Sequence, residues 1–460
     1  MAFASSWKQQ LTFNSGGHYE MDPEATRGVP VRLFLTETLL AELEDSVYPQ
    51  IITATRFPGV KLVVITPDCH HGYGVPVGCA IVTDIDSGAV ALGPVGFDIG
   101  CGMVSLRSNV VAEAATDQRR RAFNRAVMQR VSMGQGERGV GRLAALSRAE
   151  FERLVRGGAD HYTAAYGDRL DRTRAERNRI PVSDGWELPR GRADRGIGQL
   201  GSLGGGNHFI ELQRSEQTGT LFVQIHTGSR GFGHGLAEHY FHVARAAQPD
   251  VIRNLDEAWF APGSPQRDEY LDAVAAGGNY AIINRLVIAE EVSAAFREVF
   301  AADLELVYEI SHNLVQREWS DEFGWVHVHR KGATRAFPAR HRALDGTPWF
   351  DTGHPVLIPG SNRDWSYILC PTGSAKSAYT VNHGAGRRMS RTAARKQLNQ
   401  QMIDADYRRE GIVVNLDGRV PIDESGAAYK SSSEVIAAIT SAGLAEVEHR
   451  LWPLASLKAL

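Results

Sequence analysis

Cysteine is scarce in this chain: 460 residues hold four, Cys69, Cys79, Cys101 and Cys370, and no two form a Cys-x-x-Cys pair. So thin a supply argues against a disulfide framework and for a reducing cytoplasm. Long apolar runs are missing too. Nothing approaches the roughly 20 residues that span a bilayer, so no membrane association is expected. Residues 1–17 carry no apolar stretch ahead of a cleavage site, and no secretory leader is expected. Charge of one sign is absent: 50 Lys and Arg against 53 Asp and Glu leave a formal charge of −3. A site for a polyanion therefore has to be a local basic patch. No repeat of fixed period recurs, which sets solenoids and propellers aside. With 43% hydrophobic and 22% charged residues, the chain has the balance of a globular protein able to bury a sizeable core.

Short apolar strands alternate with unevenly spaced helices. Val31, Leu33 and Leu35 alternate, and Leu39, Leu40 and Leu43 then recur at helical spacing after Thr36, an N-cap candidate for a helix reaching about residue 50. Residues 61–66 (KLVVIT) read as a buried strand running into a polar loop over 67–74. Further strands are predicted over 77–82, 221–225, 304–310, 326–329, 356–358, 367–369 and 379–381, and helices over 236–248 and 279–300. Ser390 reads as the cap of a basic helix through Met402. Residues 113–178 are arginine-rich and helical, with a capping box at Ser147-x-x-Glu150, and form a candidate helical lobe or insertion. Gln118–Arg121 reads as a solvated face, and Cys79 and Cys370 as packing residues of apolar strands. This mixture predicts an α+β fold with multiple sheets.

The chemistry centres on Gly96-Phe97-Asp98-Ile99-Gly100-Cys101-Gly102, a carboxylate and a thiol bracketed by glycines that permit sharp bends. Sixteen histidines supply partners. His208, His226, His312 and His383 each follow or lie within a strand end and adjoin Asn, Gly or Thr. With Asp98 and Cys101 they offer a mixed O/N/S donor set suited to a transition metal; a thiolate taken alone favours zinc. The donors outnumber the needs of one tetrahedral ion, so two ions sharing Cys101 are expected. Arg230, Lys331, Arg335 and Arg387 each stand within a few residues of a histidine motif or a glycine turn, where backbone N–H groups and guanidiniums can hold phosphate. Metals beside phosphate-binding turns point to phosphoryl or nucleotidyl transfer.

Residues 96–102, Gly204-Gly205-Gly206-Asn207-His208-Phe209, 226–231, 311–313, 329–337 and 383–387 together resemble the RtcB RNA-splicing ligases, in the family's order and over about residues 30–430. The resemblance implies a single catalytic domain over 1–460, with sheets flanked by helices around a dinuclear metal cleft. It implies joining of RNA ends bearing a 2′,3′-cyclic phosphate or 3′-phosphate to 5′-hydroxyl ends, with GTP and Mn²⁺ as cofactors and archease as a candidate partner. By motif, His383 would take GMP. Cys101 would bridge two Mn²⁺, one held also by Asp98 and His208, the other by His226 and His312. Asn207, Glu211, Asn313, Ser361, Ser366, Ala385, Gly386 and Lys430 would contact the guanylate, and Arg230, Lys331, Arg335 and Arg387 the RNA or triphosphate. Three stretches depart from the pattern: Asn362-Arg363-Asp364-Trp365 replaces Met-Gly-Thr, serines 431–433 replace acidic residues, and 133–142 (MGQGERGVGR) is unusual.

Two other activities fit the same residues. One is a metal-dependent phosphodiesterase opening cyclic phosphates, and the other a guanylyltransferase that caps 3′-phosphates without sealing. A non-enzymatic RNA- or metal-binding scaffold would leave so complete a reactive set unused.

Overall fold

The computed structural model describes residues 7–459 apart from 135–138, 140–142, 144–145, 168 and 176–178. Most of the unusual 133–142 stretch thus lies outside the described residues. Two large sheets carry the fold. One has seven strands in the order Thr12–Asn14, His18–Glu20, Val31–Leu33, Val60–His70, Val77–Asp84, Gly324–Lys331, Asn313–Ser320. The other runs Glu305–Ser311, Gly102–Val111, Thr220–Thr227, Phe209–Ser215, Ala445–Leu457, Ser366–Pro371, Val356–Ile358, with Val413–Val414 alongside Ala445–Leu457. Mixed helices and several mainly antiparallel sheets are the α+β arrangement expected from the sequence. The strands predicted from 304 to 381 all form, within a residue or two of their expected ends.

The two sheets meet where the chain leaves Glu305–Ser311 in one and enters Asn313–Ser320 in the other. The single residue between these strands is His312. Behind the junction lies the helix Pro265–Phe300, capped by Ser264 accepting the Arg267 N–H. It starts well before the predicted residue 279 because its first turns are polar, with Pro265 suited to the opening turn. Over 273–290 it is buried on every side, as expected of a helix without a polar face. Arg148–Tyr166, Asp117–Met128 and Arg230–Ala247 pack around it. The described helices of the 113–178 stretch therefore share the cores built on this long helix. Among the described residues no helix is long and apolar enough to cross a membrane.

Three local expectations need correction. Thr36 caps Glu37–Glu42 as read, but Leu43 is extended and a second helix, Val47–Ala54, follows. The Ser390-capped helix ends at Gln397, because Leu398 is extended and Asn399 caps a new helix, Gln400–Arg409. The predicted loop at 67–70 is instead the end of strand Val60–His70, whose register against Val77–Asp84 shifts between Ile65 and His70. That irregularity accommodates Pro67, which cannot donate to a regular ladder.

Candidate metal centre and catalytic cavity

Strand register gathers the donors. Gly102 pairs with Thr227 on one side and Ser311 on the other, so Cys101 stands beside His312, and His226, paired with Met103, is a diagonal neighbour of Cys101 on the same face. The His312 N–H donates to the Cys101 carbonyl, 2.8 Å. Cys101 Sγ is 3.3 Å from His226 Nε2 and 3.5 Å from His208 Nε2. His208 Nε2 is 3.1 Å from Asp98 Oδ2, and His226 Nε2 is 3.3 Å from His312 Nε2. The ligand atoms form two triads, Cys101/His226/His312 and Asp98/Cys101/His208, each within 4.8 Å. Cys101 alone belongs to both, the geometry a bridging thiolate needs.

The surroundings fit such a role. His208 Nδ1 is 3.0 Å from the Leu203 carbonyl and His226 Nδ1 is 3.3 Å from that of Asn207. A carbonyl only accepts, so Nδ1 carries the proton; His226 Nε2 thereby keeps its lone pair for a metal, and His208 Nε2, which faces the Asp98 carboxylate, would exchange that hydrogen bond for the ion. Burial, with neighbouring histidines, holds His226 and His312 well below the usual imidazole range, so both are neutral donors. Burial and the Asp98 charge push the Cys101 thiol well up, and metal loading would displace its proton. Asp98 stays ionised, at about 2: burial opposes this, but the His208 hydrogen bond and charge and the Arg230 charge prevail.

Two buried devices hold the ligands. Gly277 and Gly278 sit within the long helix where a side chain would collide with Ile99 and Ile180, and Gly278 lets Gly100 approach the helix backbone. The cost of about 1 kcal/mol per helical glycine is offset by docking the Cys101 turn on a rigid support. From the same helix the fully buried Arg285 donates to the Gly100 carbonyl (2.6 Å), the Thr227 carbonyl (3.1 Å), Ser311 Oγ (2.8 Å) and Glu309 Oε1 (2.5 Å). Gly100, Thr227 and Ser311 are the chain neighbours of Cys101, His226 and His312.

His383 follows strand Thr380–Asn382, its ring 4.8 Å from that of His312. Its Nδ1 lies 2.6 Å from Asp68 Oδ2, which also accepts the His383 and Gly384 N–H groups. Thr66 Oγ1 donates to the other Asp68 oxygen, 2.6 Å. Burial alone would raise the Asp68 pKa, but the His383 charge and these bonds outweigh it and hold the carboxylate ionised. Gly332, at φ +56°, leaves the space that His383 occupies; a Cβ there would sit 2.9 Å from its Cε1.

A cavity of about 420 Å³ opens over this group. Of the residues expected in the site, Asp98, Cys101, Asn207, Glu211, His226, His312, Asn313, Lys331, Ser361, His383, Ala385, Gly386 and Arg387 line it. His208 sits just behind Cys101. Ser366 stays beneath the wall, its Oγ accepting from the Gly360 N–H and Gln213 Nε2. Asn313 Oδ1 accepts the Gly332 N–H, and its Nδ2 donates to the Asp98 carbonyl. Arg230 lies beside Asp98 but off the cavity, donating to Ser202 Oγ and the Gly134 carbonyl. Arg335 is buried away from the cavity, over the Phe337 ring. Lys430 also turns away, donating to the carbonyls of Pro67 (3.1 Å) and Cys69 (2.6 Å), so it braces both neighbours of Asp68.

Sequence reasoning missed Asp68 and, beside the expected Arg387, the rest of a cationic wall. Glu424 lies among Arg387 (3.2 Å), Arg391 (2.7 Å) and Lys458 (3.3 Å), with Tyr429 OH donating at 2.5 Å. Asp423 pairs with Arg391 (3.4 Å) and Arg395 (3.0 Å), and these two carboxylates against four cations leave the wall positive. Lys458, rather than Lys430, is the lysine on this side of the cavity. Burial pushes Glu211 up to about 7 even with Gln213 donating and Lys458 nearby.

Comparison with known proteins gives one answer. The profile of a family described as tRNA-splicing ligase RtcB matches residues 50–459. A tRNA-splicing ligase RtcB of Pyrobaculum aerophilum is 34% identical over 464 aligned residues, covering 94% of this chain and 95% of that protein. An RNA-splicing ligase RtcB of Mycobacterium tuberculosis is 35% identical, covering 89% of this chain and all of its own length. The tRNA-splicing ligase RtcB of Thermococcus kodakarensis is 32% identical, covering 94% and 95%.

Proposed function

The chain belongs to the RtcB family of RNA ligases, and from that premise we propose that it seals RNA 3′-phosphate or 2′,3′-cyclic phosphate ends to 5′-hydroxyl ends through a guanylylated His383. The observation that carries this is the 2.6 Å contact between Asp68 and His383 Nδ1 beside the metal triads. It fixes the proton on Nδ1 and leaves Nε2 as the nucleophile, and Asp68 compensates the positive charge that grows on the ring as it attacks.

Asp98, Cys101 and His208 would hold one Mn²⁺, and Cys101, His226 and His312 the other. Bound there, the ions would neutralise phosphate oxygens and make the phosphorus a better electrophile. His383 Nε2 forms a bond to the α-phosphorus of GTP, and the bond to pyrophosphate breaks. His383 then gives GMP to the RNA 3′-phosphate, water having first opened a cyclic end. The 5′-hydroxyl attacks that phosphate and GMP leaves, which an unactivated phosphate oxygen could not do. Arg387, Arg391 and Lys458 supply positive charge for the phosphates. Asn207, Glu211, Asn313, Ser361, Ala385 and Gly386 surround the guanylate, and Lys458 takes the role expected of Lys430. Cys101 has to remain a free thiol for this chemistry, which suits a cytoplasmic location.

Intact-mass analysis after incubation with each NTP and Mn²⁺ tests the reading. The expected result is an acid-labile GMP adduct from GTP, lost in His383→Ala. An adduct persisting in His383→Ala removes His383 as nucleophile. Opening of cyclic ends with no adduct and no nucleotide requirement establishes the hydrolase instead.

A further inference from the structure

One wall of the cavity has no part in the guanylate and metal contacts. Tyr73 lines it with 67% of its surface exposed. Its ring stands edge-on to Phe97, centroids 6.2 Å apart at 88°. Phe97 is itself stacked on His234 and Phe241, at 5.1 and 5.0 Å, and directly precedes the metal ligand Asp98. Phe97 therefore backs Tyr73 at a right angle, and most of the Tyr73 ring surface stays open.

The backbone beneath it is fixed. Gln50 both donates to the Gly72 carbonyl (2.6 Å) and accepts its N–H (3.0 Å). Lys331 Nζ donates to the carbonyls of Tyr73 (2.6 Å) and Val75 (3.3 Å). An exposed ring on a loop pinned from two sides is a preorganised surface, since little ordering is left to do on binding. The Glu211–Lys458–Glu424 wall offers donors and acceptors suited to one base edge. The Tyr73–Phe97 wall offers a π-face, which accepts any base.

We propose that Tyr73, backed by Phe97, is the stacking platform for the terminal nucleobase of an RNA end brought to the metal centre. This rests on the ligase reading above. A terminal phosphate over Cys101 carries its own base one sugar away, and Phe97 is the side chain that borders Asp98 on this wall. Such a platform would accept a terminal base of any identity: stacking holds the base and the cations hold the phosphate, with no base-edge readout.

The test uses the full chain with Mn²⁺ and short RNAs carrying 2-aminopurine, whose fluorescence is quenched on stacking. The probe is placed at the 3′-phosphate end, at the 5′-hydroxyl end, or four nucleotides inside. Quenching at one terminal position in the wild type and Tyr73→Phe, lost in Tyr73→Ala, supports the platform and identifies which end it holds. Equal quenching in Tyr73→Ala, or quenching of the internal probe alone, overturns it. In sealing assays Tyr73→Ala should raise the KM for RNA about 10-fold, and an abasic terminal nucleotide should cost the wild type a similar factor but Tyr73→Ala little more. Equal abasic penalties in both proteins refute the proposal. GMP-adduct formation without RNA is measured in parallel. If the wild type forms no adduct the ligase reading fails; if it does and terminal quenching ignores Tyr73, only the platform fails.

Discussion

Arg285 offers the sharpest test of how the metal centre is held. Its guanidinium, fully buried and paired with Glu309, fastens the neighbours of three ligands at once. Arg285→Lys keeps a positive charge opposite Glu309 but cannot span Gly100, Thr227 and Ser311 together. At least two buried acceptors then lose a donor, at roughly 1–3 kcal/mol each, or about 4 kcal/mol in sum. A chain this long unfolds with an entropy of about 1 kcal/mol/K, so the metal-free Tm should fall by only about 4 °C. Metal affinity should respond more clearly, because groups that orient ligands are worth about 10–100-fold. Cobalt(II) titration followed by thiolate charge-transfer absorption, with competition by Mn²⁺, measures this separately from thermal unfolding. The Cys101/His226/His312 site should weaken most, and the Asp98/Cys101/His208 site less, through Cys101 alone. If Arg285→Lys loses thermal stability yet binds two ions with unchanged affinity, the arginine supports the fold and does not position the ligands.

Three further outcomes follow from the site. Asp68→Asn should slow GMP-adduct formation by about 10²-fold or more, since the amide can neither fix the His383 tautomer reliably nor compensate its charge; labelling within threefold of wild type sinks that role. Cys101→Ser should weaken both metal sites together, and loss of one ion with the other retained would show that the thiolate does not bridge. Glu211, at about 7 when folded against an ordinary 4.5, is protonated in the fold where the unfolded chain has already ionised. Its contribution to stability is therefore present below pH 4.5 and lost as pH rises towards 7, by about 3 kcal/mol. The wild type should lose Tm relative to Glu211→Gln across that window, and a constant difference from pH 4 to 8 refutes the shift.

The donor set was legible because its signal is local. Asp98, Cys101, His208, His226, His312 and His383 each stand among glycine, asparagine or threonine at strand ends, where side chains can converge without disturbing a sheet. Asp68 gave no such signal. It meets a histidine 315 residues away, in a stretch that reads as a polar loop and folds as an irregular strand end. Lys430 failed for a geometric reason: in extended chain successive side chains point to opposite sides. Tyr429 beside it lines the cavity, so Lys430 must face Pro67 and Cys69. Lys458 was hidden because strand Ala445–Leu457 carries four charged or titratable residues and a proline, yet runs through the middle of a sheet, with its register shifting between Pro453 and Ala455.

The two unusual stretches at 362–365 and 431–433 turn out to be one feature. Asp364 Oδ2 accepts the Ser432 N–H at 2.8 Å, placing a carboxylate at the start of helix Ser432–Ser441, where negative charge is favourable. Arg363 pairs with Asp406 and Glu410, fixing the loop to a second helix. Just ahead of these anchors Asn362 faces the cavity. Tyr407 OH accepts the Gly426 N–H at 2.9 Å and must give its own proton to Asn362 Oδ1. The amide orientation is thereby set, and Nδ2 is a buried donor with no protein partner among the described residues. A purine with a carbonyl at position 6 can accept from it, whereas an amino group there cannot. One such bond contributes about 1 kcal/mol or a little more, so Asn362→Leu should cut the preference for GTP over ATP in adduct formation by roughly 5–10-fold. The same variant should leave Tyr407 OH without its acceptor, so Tyr407→Phe is measured beside it to separate lost packing from lost recognition. If Asn362→Leu keeps the full preference for GTP, selectivity lies with Glu211 and Lys458 and the altered loop serves only to close the wall.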